Sequence, residues 1–414
     1  MNATKLRIRI LGLHYSPEPS GNAPYTSSLA EGLTKAGHDV EVFTGFPHYP
    51  EWRIYDGYSG WRRRELLNGV KVTRLRHYVP RKPSALRRLT MEMTFGFQLL
   101  FARWGRPDVV LLVSPALLST AIAVLRARLS PSKPAVAIWV QDLYSRGLVE
   151  TSGAGDATAR LAAALEGLIL GSAHGVVVIH ERFKKYLVDS LNVDGSSISI
   201  IRNWTHLPDA PTSGQAAFRE RFGWLPEDFI VLHAGNMGKK QGLENVINAA
   251  RHAEEKGSSV KFVLMGDGNQ RQSLEASASG ARNLIFIDSL ADADFQMALT
   301  SADALLVNEL PGVKDMSVPS KLTSYFNASV PVIAATDEGS VTAFEVESSC
   351  GGVRVNSADP SALVEAAELL GRDPDLSTGL GKRGLRYRHE TLSEASAIRH
   401  YDDVITSLAS SRSR

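Results

Sequence analysis

At roughly 100–200 residues per domain, a chain of 414 residues holds two or three domains, and with 43% hydrophobic and 22% charged residues it can bury a core in each. Lys and Arg number 46 against 44 Asp and Glu, so the net charge of +2 supplies no global basic field and disfavours nucleic acid as a partner. A single cysteine, Cys350, excludes an internal disulfide and a cysteine-built metal cluster and fits a reducing compartment.

The first apolar run, residues 6–13, contains Arg7 and Arg9, so it reads as a strand and not as the apolar segment of a signal peptide. Further strand candidates follow at 39–44, 70–76, 108–113, 135–140, 175–179 and 197–201, with helical patterns such as 24–36 and 158–170 between them. Their Val/Ile/Leu-rich cores lack strict alternation, as expected of strands buried on both faces. Residues 109–125 carry no charge and approach the ~20 that a membrane span needs. Ser114-Pro115 interrupts that stretch, and Asp108 and Arg126 bracket it, so it reads as a buried strand, a turn and a buried helix.

The stretch from Trp204 to Gly214, with Pro208, Pro211, Thr212 and Ser213, has the composition of a linker. The alternation then restarts with strands at 229–234, 260–265, 283–287, 303–308, 331–335 and 352–355, and helices at 243–253, 294–301 and 361–370; a last helix covers 392–408. The pattern predicts an α/β protein of two doubly wound domains, 1–205 and 206–390, with a terminal segment 391–414. Ligands of such sheets bind beyond the carboxyl ends of the strands, so the two domains are expected to face a central cleft.

The chemistry-bearing motifs sit at those strand ends. The loop from Tyr15 to Tyr25 runs into a helix whose N-terminal N–H groups suit an anion, with Gly21 allowing close backbone approach and Asn22 beside it; a Pro/Gly-rich surface loop is the alternative. No Gly-x-Gly-x-x-Gly dinucleotide fingerprint is present. The second domain opens on Ala234-Gly-Asn-Met-Gly-Lys-Lys-Gln-Gly-Leu-Glu244, in which Asn236, Lys239 and Lys240 sit on a glycine-rich turn before a helix. That suits a diphosphate, although the Gly-Lys-Ser/Thr order of a Walker A loop is missing. Met265-Gly-Asp-Gly-Asn-Gln-Arg271 repeats strand, glycines and helix with Gly266, Gly268 and Arg271. After the strand at 303–308 come Glu309, Lys314 and Asp315, and then Pro319-Ser320-Lys321, where Ser320 can cap a helix and Lys321 can reach an anion at its start.

In the first domain Asp142 ends a strand facing the expected cleft, where a cap of the following turn also explains it. His14, with Tyr15 next to it, and His180 also end strands, and both histidines are also readily satisfied structural residues. The histidines, His48 and His77 among them, show no metal-ligand spacing with acids, and no Gly-x-Ser-x-Gly elbow marks a hydrolase.

Taken together, the loop after strand one, "GNMGKKQGLENVINAA", "VLMGDGNQR", "SADALLVNELPG", "VPSKLTSYFNASVPVIAATDEGS" and "CGGVRV" resemble the family-four glycosyltransferases of GT-B fold, most closely the colanic-acid and exopolysaccharide branch, over nearly the whole chain. The resemblance implies two Rossmann-like domains and a retaining, metal-independent transferase without a cofactor. It implies a UDP- or GDP-sugar donor in the C-terminal domain and an acceptor in the N-terminal one, at the cytoplasmic face of a membrane. The acceptor so implied is a glycan or a polyprenyl-diphosphate-linked sugar. A glutamate pair common in the family falls here on Met316 and Ser324, leaving Glu309 as the acid of that loop; Asp337 and Glu345 have the spacing but lie beyond the strand. The family's usual Arg and Lys of the opening motif correspond to Asn236 and Gln241, so phosphate charge falls to Lys239, Lys240 or Lys321. Asp142 and Glu309 are the expected catalytic groups. Gly21, Asn22, Asn236, Lys239, Lys240, Gly266, Gly268, Arg271, Ser320, Lys321 and Ser324 are expected on the donor phosphates, and His14 and Tyr15 on the acceptor side. A sugar-nucleotide epimerase of the same fold and a non-catalytic sugar-nucleotide-binding partner are the competing readings.

Trp61-Arg-Arg-Arg64 and the basic run from Pro80 to Arg88 precede Met91, Met93, Phe95, Phe97, Leu99, Leu100, Phe101 and Trp104. A basic segment leading into an aromatic-rich helix suits contact with an anionic membrane through Arg81, Lys82, Arg87 and Arg88; a core helix with a solvated basic face is the alternative.

Overall fold

The computed structural model describes residues 5–19, 21–82, 84–114, 116–145, 156–204, 209–313 and 321–412. The chain divides into two compact units, Met1–His206 with Glu394–Arg414, and Leu207–Ser393.

The first unit runs β1 (Arg7–Gly12), α1 (Ala23–Lys35), β2 (Asp39–Gly45), β3 (Arg62–Leu67), β4 (Val70–Leu75), α2 (Ala85–Phe101), β5 (Val109–Ser114), α3 (Leu117–Leu129), β6 (Ala135–Val140), α4 (Asp156–Gly171), β7 (Gly175–Val178), α5 (Glu181–Asp189) and β8 (Ile198–Ile200). Its strands line up as β3-β4-β2-β1-β5-β6-β7-β8. All pairs are parallel except β3 with β4, which run antiparallel. β5 and β6 are buried along their whole length, which explains their unbroken apolar runs. β3 was hidden in the sequence because it is an edge strand with Arg62, Arg63 and Arg64 on its exposed stretch; charged edges resist pairing with a further chain. No helix among the described residues is long and apolar enough to cross a membrane.

The second unit runs α6 (Gln215–Arg221), β9 (Phe229–Ala234), α7 (Glu244–Glu255), β10 (Val260–Met265), α8 (Arg271–Ser277), β11 (Leu284–Ile287), α9 (Asp292–Ser301), β12 (Ala304–Asn308), α10 (Lys321–Asn327), β13 (Val332–Ala335), α11 (Val341–Ser349), β14 (Gly352–Val355), α12 (Pro360–Arg372) and α13 (Pro374–Thr391). Six parallel strands follow the order β11-β10-β9-β12-β13-β14. Two apolar clusters line the sheet, one around Phe262, Val246 and Leu363, the other around Trp224, Leu305 and Tyr325. The glycines of α13 disguise that helix in the sequence. They are there because α13 lies close: a Cβ on Gly381 would fall 2.1 Å from the Ser329 carbonyl oxygen.

The last helix, α14 (Glu394–Arg412), returns to the first unit. There Tyr401 meets the Trp139 ring at 5.1 Å, His38 Nε2 bonds Asp402 at 2.8 Å, and Gly32 leaves room for Ile398, whose Cδ1 lies 2.3 Å from where a Cβ would stand.

Candidate functional site

In the second unit the chain builds β9, β10 and β11 to one side and then crosses to place β12 on the other side of β9, so the switch in strand order lies between β9 and β12. Helices depart on opposite sides of such a point and leave a crevice at the carboxyl ends of the strands. Beyond β9 comes the Gly235–Gly242 turn, beyond β10 the Gly266–Gln270 loop, beyond β12 the loop opened by Glu309. Gly266, at φ 135°, sits against Gly235: a Cβ there would fall 2.0 Å from the Gly235 carbonyl oxygen. Met237 N donates to Asp267 O at 2.8 Å and Gln270 N to Met237 O at 3.0 Å. These glycines therefore let two loops touch as well as leaving backbone open to a ligand.

Lys321 begins α10, and its ammonium group aims back at the same place. Nζ donates to His233 Nε2 at 3.3 Å, and a Cβ on Gly235 would lie 3.9 Å from it. Burial pushes the lysine down to about 8, with Glu309 pulling the other way, while burial and the neighbouring lysine hold His233 well below its ordinary value and neutral. Glu309 accepts from the hydroxyls of Thr336 and Thr342. Burial raises its carboxyl above the usual carboxylate range, and the two threonines and Lys321 offset only part of that shift. Asn308 donates to the carbonyls of Gln241 at 2.7 Å and Gly242 at 2.9 Å and accepts from Asn245 at 2.9 Å, fastening the lysine-bearing turn to the end of β12. Lys239 and Lys240 are exposed on that turn, as is Asn236, whose Oδ1 would lie 2.7 Å from a Cβ on Gly268.

So Asn236, Lys239, Lys240, Gly266, Gly268, Glu309 and Lys321 come together, with Ser324 one turn along α10 from Lys321. Ser320 lies outside the described residues. Arg271 requires a correction: it pairs with Glu275 at 2.8 Å and Asp288 at 2.7 Å and donates to Gly266 O at 2.6 Å. Two carboxylates thus meet the guanidinium, which clamps the β10 loop and is not a spare positive charge for phosphate. Asp337 and Glu345 serve the fold: Asp337 accepts from Gly312 N and Ser357 Oγ at 2.8 Å each, and Glu345 from Tyr387 at 2.8 Å.

The first unit repeats the topology with its switch between β1 and β5. Here the strand ends carry rings and a carboxylate. Glu18, in the loop after β1, is buried and takes His14 Nδ1 at 2.7 Å, His48 N at 2.7 Å and Tyr49 N at 3.0 Å. Burial alone would raise its carboxyl, but the His14 hydrogen bond and the two histidines leave it below its ordinary value. An ionised carboxylate only accepts, so His14 donates through Nδ1. His14 lies tilted against His48 at 5.2 Å and His48 meets His77 edge-on at 5.0 Å; burial holds His48 below its ordinary value and pushes His77 down to about 3, so His77 is neutral. His14, Glu18 and His48 also offer ligand atoms within 4.8 Å of one another, a spacing open to a cation, although Nδ1 of His14 is spent on Glu18 and Nδ1 of His48 on the Phe46 carbonyl at 2.9 Å.

Gly21, at φ 68°, and Asn22 lead into α1. Tyr15 is only 1% exposed and its phenol is pushed up by burial, so the expectation that it faces an acceptor is corrected: it is a core residue. His180 caps α5, accepting from Arg182 N at 3.1 Å. Asp142 is exposed beyond β6, two strands from β1 across β5, roughly 10 Å at the usual strand spacing, and does not join the His14 cluster. Glu18 went unnoticed in the sequence, as did Asn308, Thr336 and Thr342, and the reading that His48 has no ligand spacing with an acid is corrected by its place beside Glu18 and His14. For Glu18 the one available signal was a carboxylate four residues after a strand-end histidine.

Residues 20–204 match the family described as glycosyl transferase 4-like domain, and residues 214–386 match glycosyl transferases group 1. A protein assigned to colanic acid biosynthesis as a glycosyl transferase, WcaI of Escherichia coli (strain K12), is 31% identical over 351 residues, 81% of this chain and 85% of that protein. Among solved structures, the sucrose-phosphate synthase of Thermosynechococcus elongatus superposes with a TM-score of 0.75 at 18% identity, covering 98% of this chain and 100% of that one. HepE of Anabaena in complex with UDP-glucose gives 0.70 at 14% identity, covering 97% and 100%.

Proposed function

The chain belongs to the GT-B family-four glycosyltransferases, in the branch of the colanic acid enzymes, and on that premise we propose that it moves a sugar from a UDP- or GDP-sugar to a glycan or lipid-linked acceptor in the biosynthesis of a surface or extracellular polysaccharide. The observation that carries the donor half of this reading is the cluster at the β9–β12 switch. Close-packed glycine loops, the exposed Lys239 and Lys240, and the inward-turned Lys321 suit a diphosphate, and Glu309 suits the hydroxyls of a sugar. HepE, of the same fold, is a relative whose structure holds UDP-glucose.

In the reaction the bond from the sugar's anomeric carbon to the diphosphate oxygen breaks and a bond to the acceptor oxygen forms on the same face. Lys321, with Lys239 or Lys240, meets the charge that gathers on the departing diphosphate, without need of a metal. The acceptor's hydroxyl proton leaves toward a nearby base. His14, held in place by Glu18, and the exposed Asp142 are the two groups of the first unit suited to orient that hydroxyl.

The acceptor half rests on the first unit. On α2, Met91, Phe95 and Leu99 are buried, whereas Leu86, Met93, Phe97 and Phe101 stay exposed along the opposite face, next to the exposed Arg81, Lys82, Arg87 and Arg88. That combination of apolar stripe and basic rim supports peripheral attachment to the inner face of a membrane. The test is transfer from radiolabelled UDP- and GDP-sugars into a membrane extract. One donor should give a labelled product that depends on the protein and keeps the donor's anomeric configuration by NMR. Release of an epimerised free sugar, or no product with any donor, would overturn the reading.

A further inference from the structure

β1 and β2 run parallel with their ends aligned, so the loops that leave them start side by side. One carries His14 and Glu18, the other His48. Each of the three offers one possible ligand atom, and these atoms lie within 4.8 Å of one another. The backbone amides of His48 at 2.7 Å and Tyr49 at 3.0 Å hold Glu18 Oε1, while Oε2 takes His14 Nδ1 at 2.7 Å. His48 Nδ1 lies 2.9 Å from the Phe46 carbonyl and 3.4 Å from Glu18 Oε1, so two acceptors keep a proton on that nitrogen. Its Nε2 is buried and finds no hydrogen-bond partner among the described residues. A proton there would have no acceptor, so Nε2 is the nitrogen left to offer a lone pair. Metal-bound histidines are held in this way, with the other ring nitrogen donating to a carbonyl or a carboxylate.

We propose that His14, Glu18 and His48 hold one divalent transition-metal ion of the zinc class. Two imidazoles and a carboxylate suit zinc or cobalt, whereas magnesium and calcium take a shell of oxygens. Zinc bonds of roughly 2.0–2.2 Å place tetrahedral ligand atoms about 3.4 Å apart, so the set closes by shifts on the order of 1 Å in two loops. The ion takes the place of the proton between His14 and Glu18 and draws in the His48 ring. The side chains of Glu18 and His48 are closed to solvent while that of His14 is 23% exposed, so the fourth position opens on the His14 side. Tyr49 stands edge-on to His14 at 5.6 Å and Trp52 edge-on to His48 at 6.1 Å, an aromatic wall that limits water around the site. The proposal stands apart from the transfer reaction, because it is read from ion binding alone and the donor cluster belongs to the other unit.

The test is zinc chloride titrated calorimetrically into the untagged full chain after dialysis against a chelator. Wild type should take one ion per chain, undisturbed by excess magnesium, and cobalt in its place should show the strong visible absorption of a four-coordinate ion. His14→Ala and Glu18→Gln should each weaken zinc by at least about tenfold, whereas His400→Ala, at an exposed histidine of the last helix, should bind as wild type does. Zinc should also raise the melting temperature of wild type and leave that of His14→Ala where it was. Circular dichroism of the metal-free variants reads their folding. Glu18 also holds two backbone amides, so His14→Ala decides if Glu18→Gln does not fold. Absence of saturable zinc binding overturns the proposal. So does binding that both variants keep intact, which would assign the ion to surface histidines, or displacement of zinc by magnesium. UDP and GDP are titrated into the same metal-free samples, so failure here with nucleotide binding intact leaves the donor reading standing.

Discussion

The two units share a sheet topology and differ in what stands at the strand ends. Between β9 and β12 the ends are glycine, asparagine and lysine, with short side chains, open backbone and one lysine turned inward; beyond β1 and β2 they are histidine and glutamate joined by hydrogen bonds. The first set suits a charged phosphate and the second suits orienting a hydroxyl. Topology thus places a site, and the residues at the strand ends decide its chemistry.

Glycine substitution gives the largest way to break that comparison. Gly266→Ala puts a Cβ into the Gly235 carbonyl at positive φ, and should destabilise the second unit by about 2–4 kcal/mol, read from its urea midpoint. Gly21→Ala meets nothing nearer than Tyr49 at 3.8 Å, so it should cost only the roughly 1–2 kcal/mol of a left-handed alanine. Equal losses would show that the glycines of the two units serve the same purpose.

The next effect is on pH. Lys321 titrates at about 8, lowered by burial, and a bound diphosphate would favour its charged form. Donor affinity should therefore be level below pH 8 and fall by up to about tenfold per unit above it, with one proton taken up on binding in that range. Calorimetry in buffers of different ionisation enthalpy reads that proton directly, and Lys321→Ala should flatten the profile. His233 stays neutral throughout and adds no slope.

A smaller effect belongs to the first unit. Glu18→Gln should slow transfer by about five- to tenfold, the difference between a charge-assisted and a neutral hydrogen bond, without changing donor binding. The same variant should lose part of the acid sensitivity of folding. Glu18 sits below its ordinary 4.5, so its stabilisation is present at neutral pH and is lost as pH falls through its folded value, a slope that glutamine cannot show. An unchanged transfer rate would place the carboxylate in loop folding alone.

Much of this was legible in the sequence because it is local. A strand, a glycine-rich turn and a helix lie within a dozen residues, so the Gly235 and Gly266 loops announce themselves, and so does Lys321 at its helix start. What stayed hidden is non-local. His14, His48 and His77 belong to three strand ends that become neighbours only once β1, β2 and β4 are aligned, and the threonines on Glu309 lie 27 and 33 residues away from it. Arg271 and Tyr15 misled for the same reason: the carboxylate Asp288 that occupies the arginine, and the core around the tyrosine, come from other segments. The resemblance to a family carried both the reaction class and the expected division of labour between the units, while the strand-end residues named the groups on which that division is tested.

That division is tested most directly by titrating UDP and GDP into wild type, Lys321→Ala and His14→Ala side by side. Wild type should bind one of the two nucleotides with one site per chain. Lys321→Ala should weaken it by roughly ten- to a hundredfold, the cost of one charged contact, while His14→Ala should bind it as wild type does. Binding that survives intact in Lys321→Ala, or that falls equally in His14→Ala, would contradict the assignment of the donor to the β9–β12 switch.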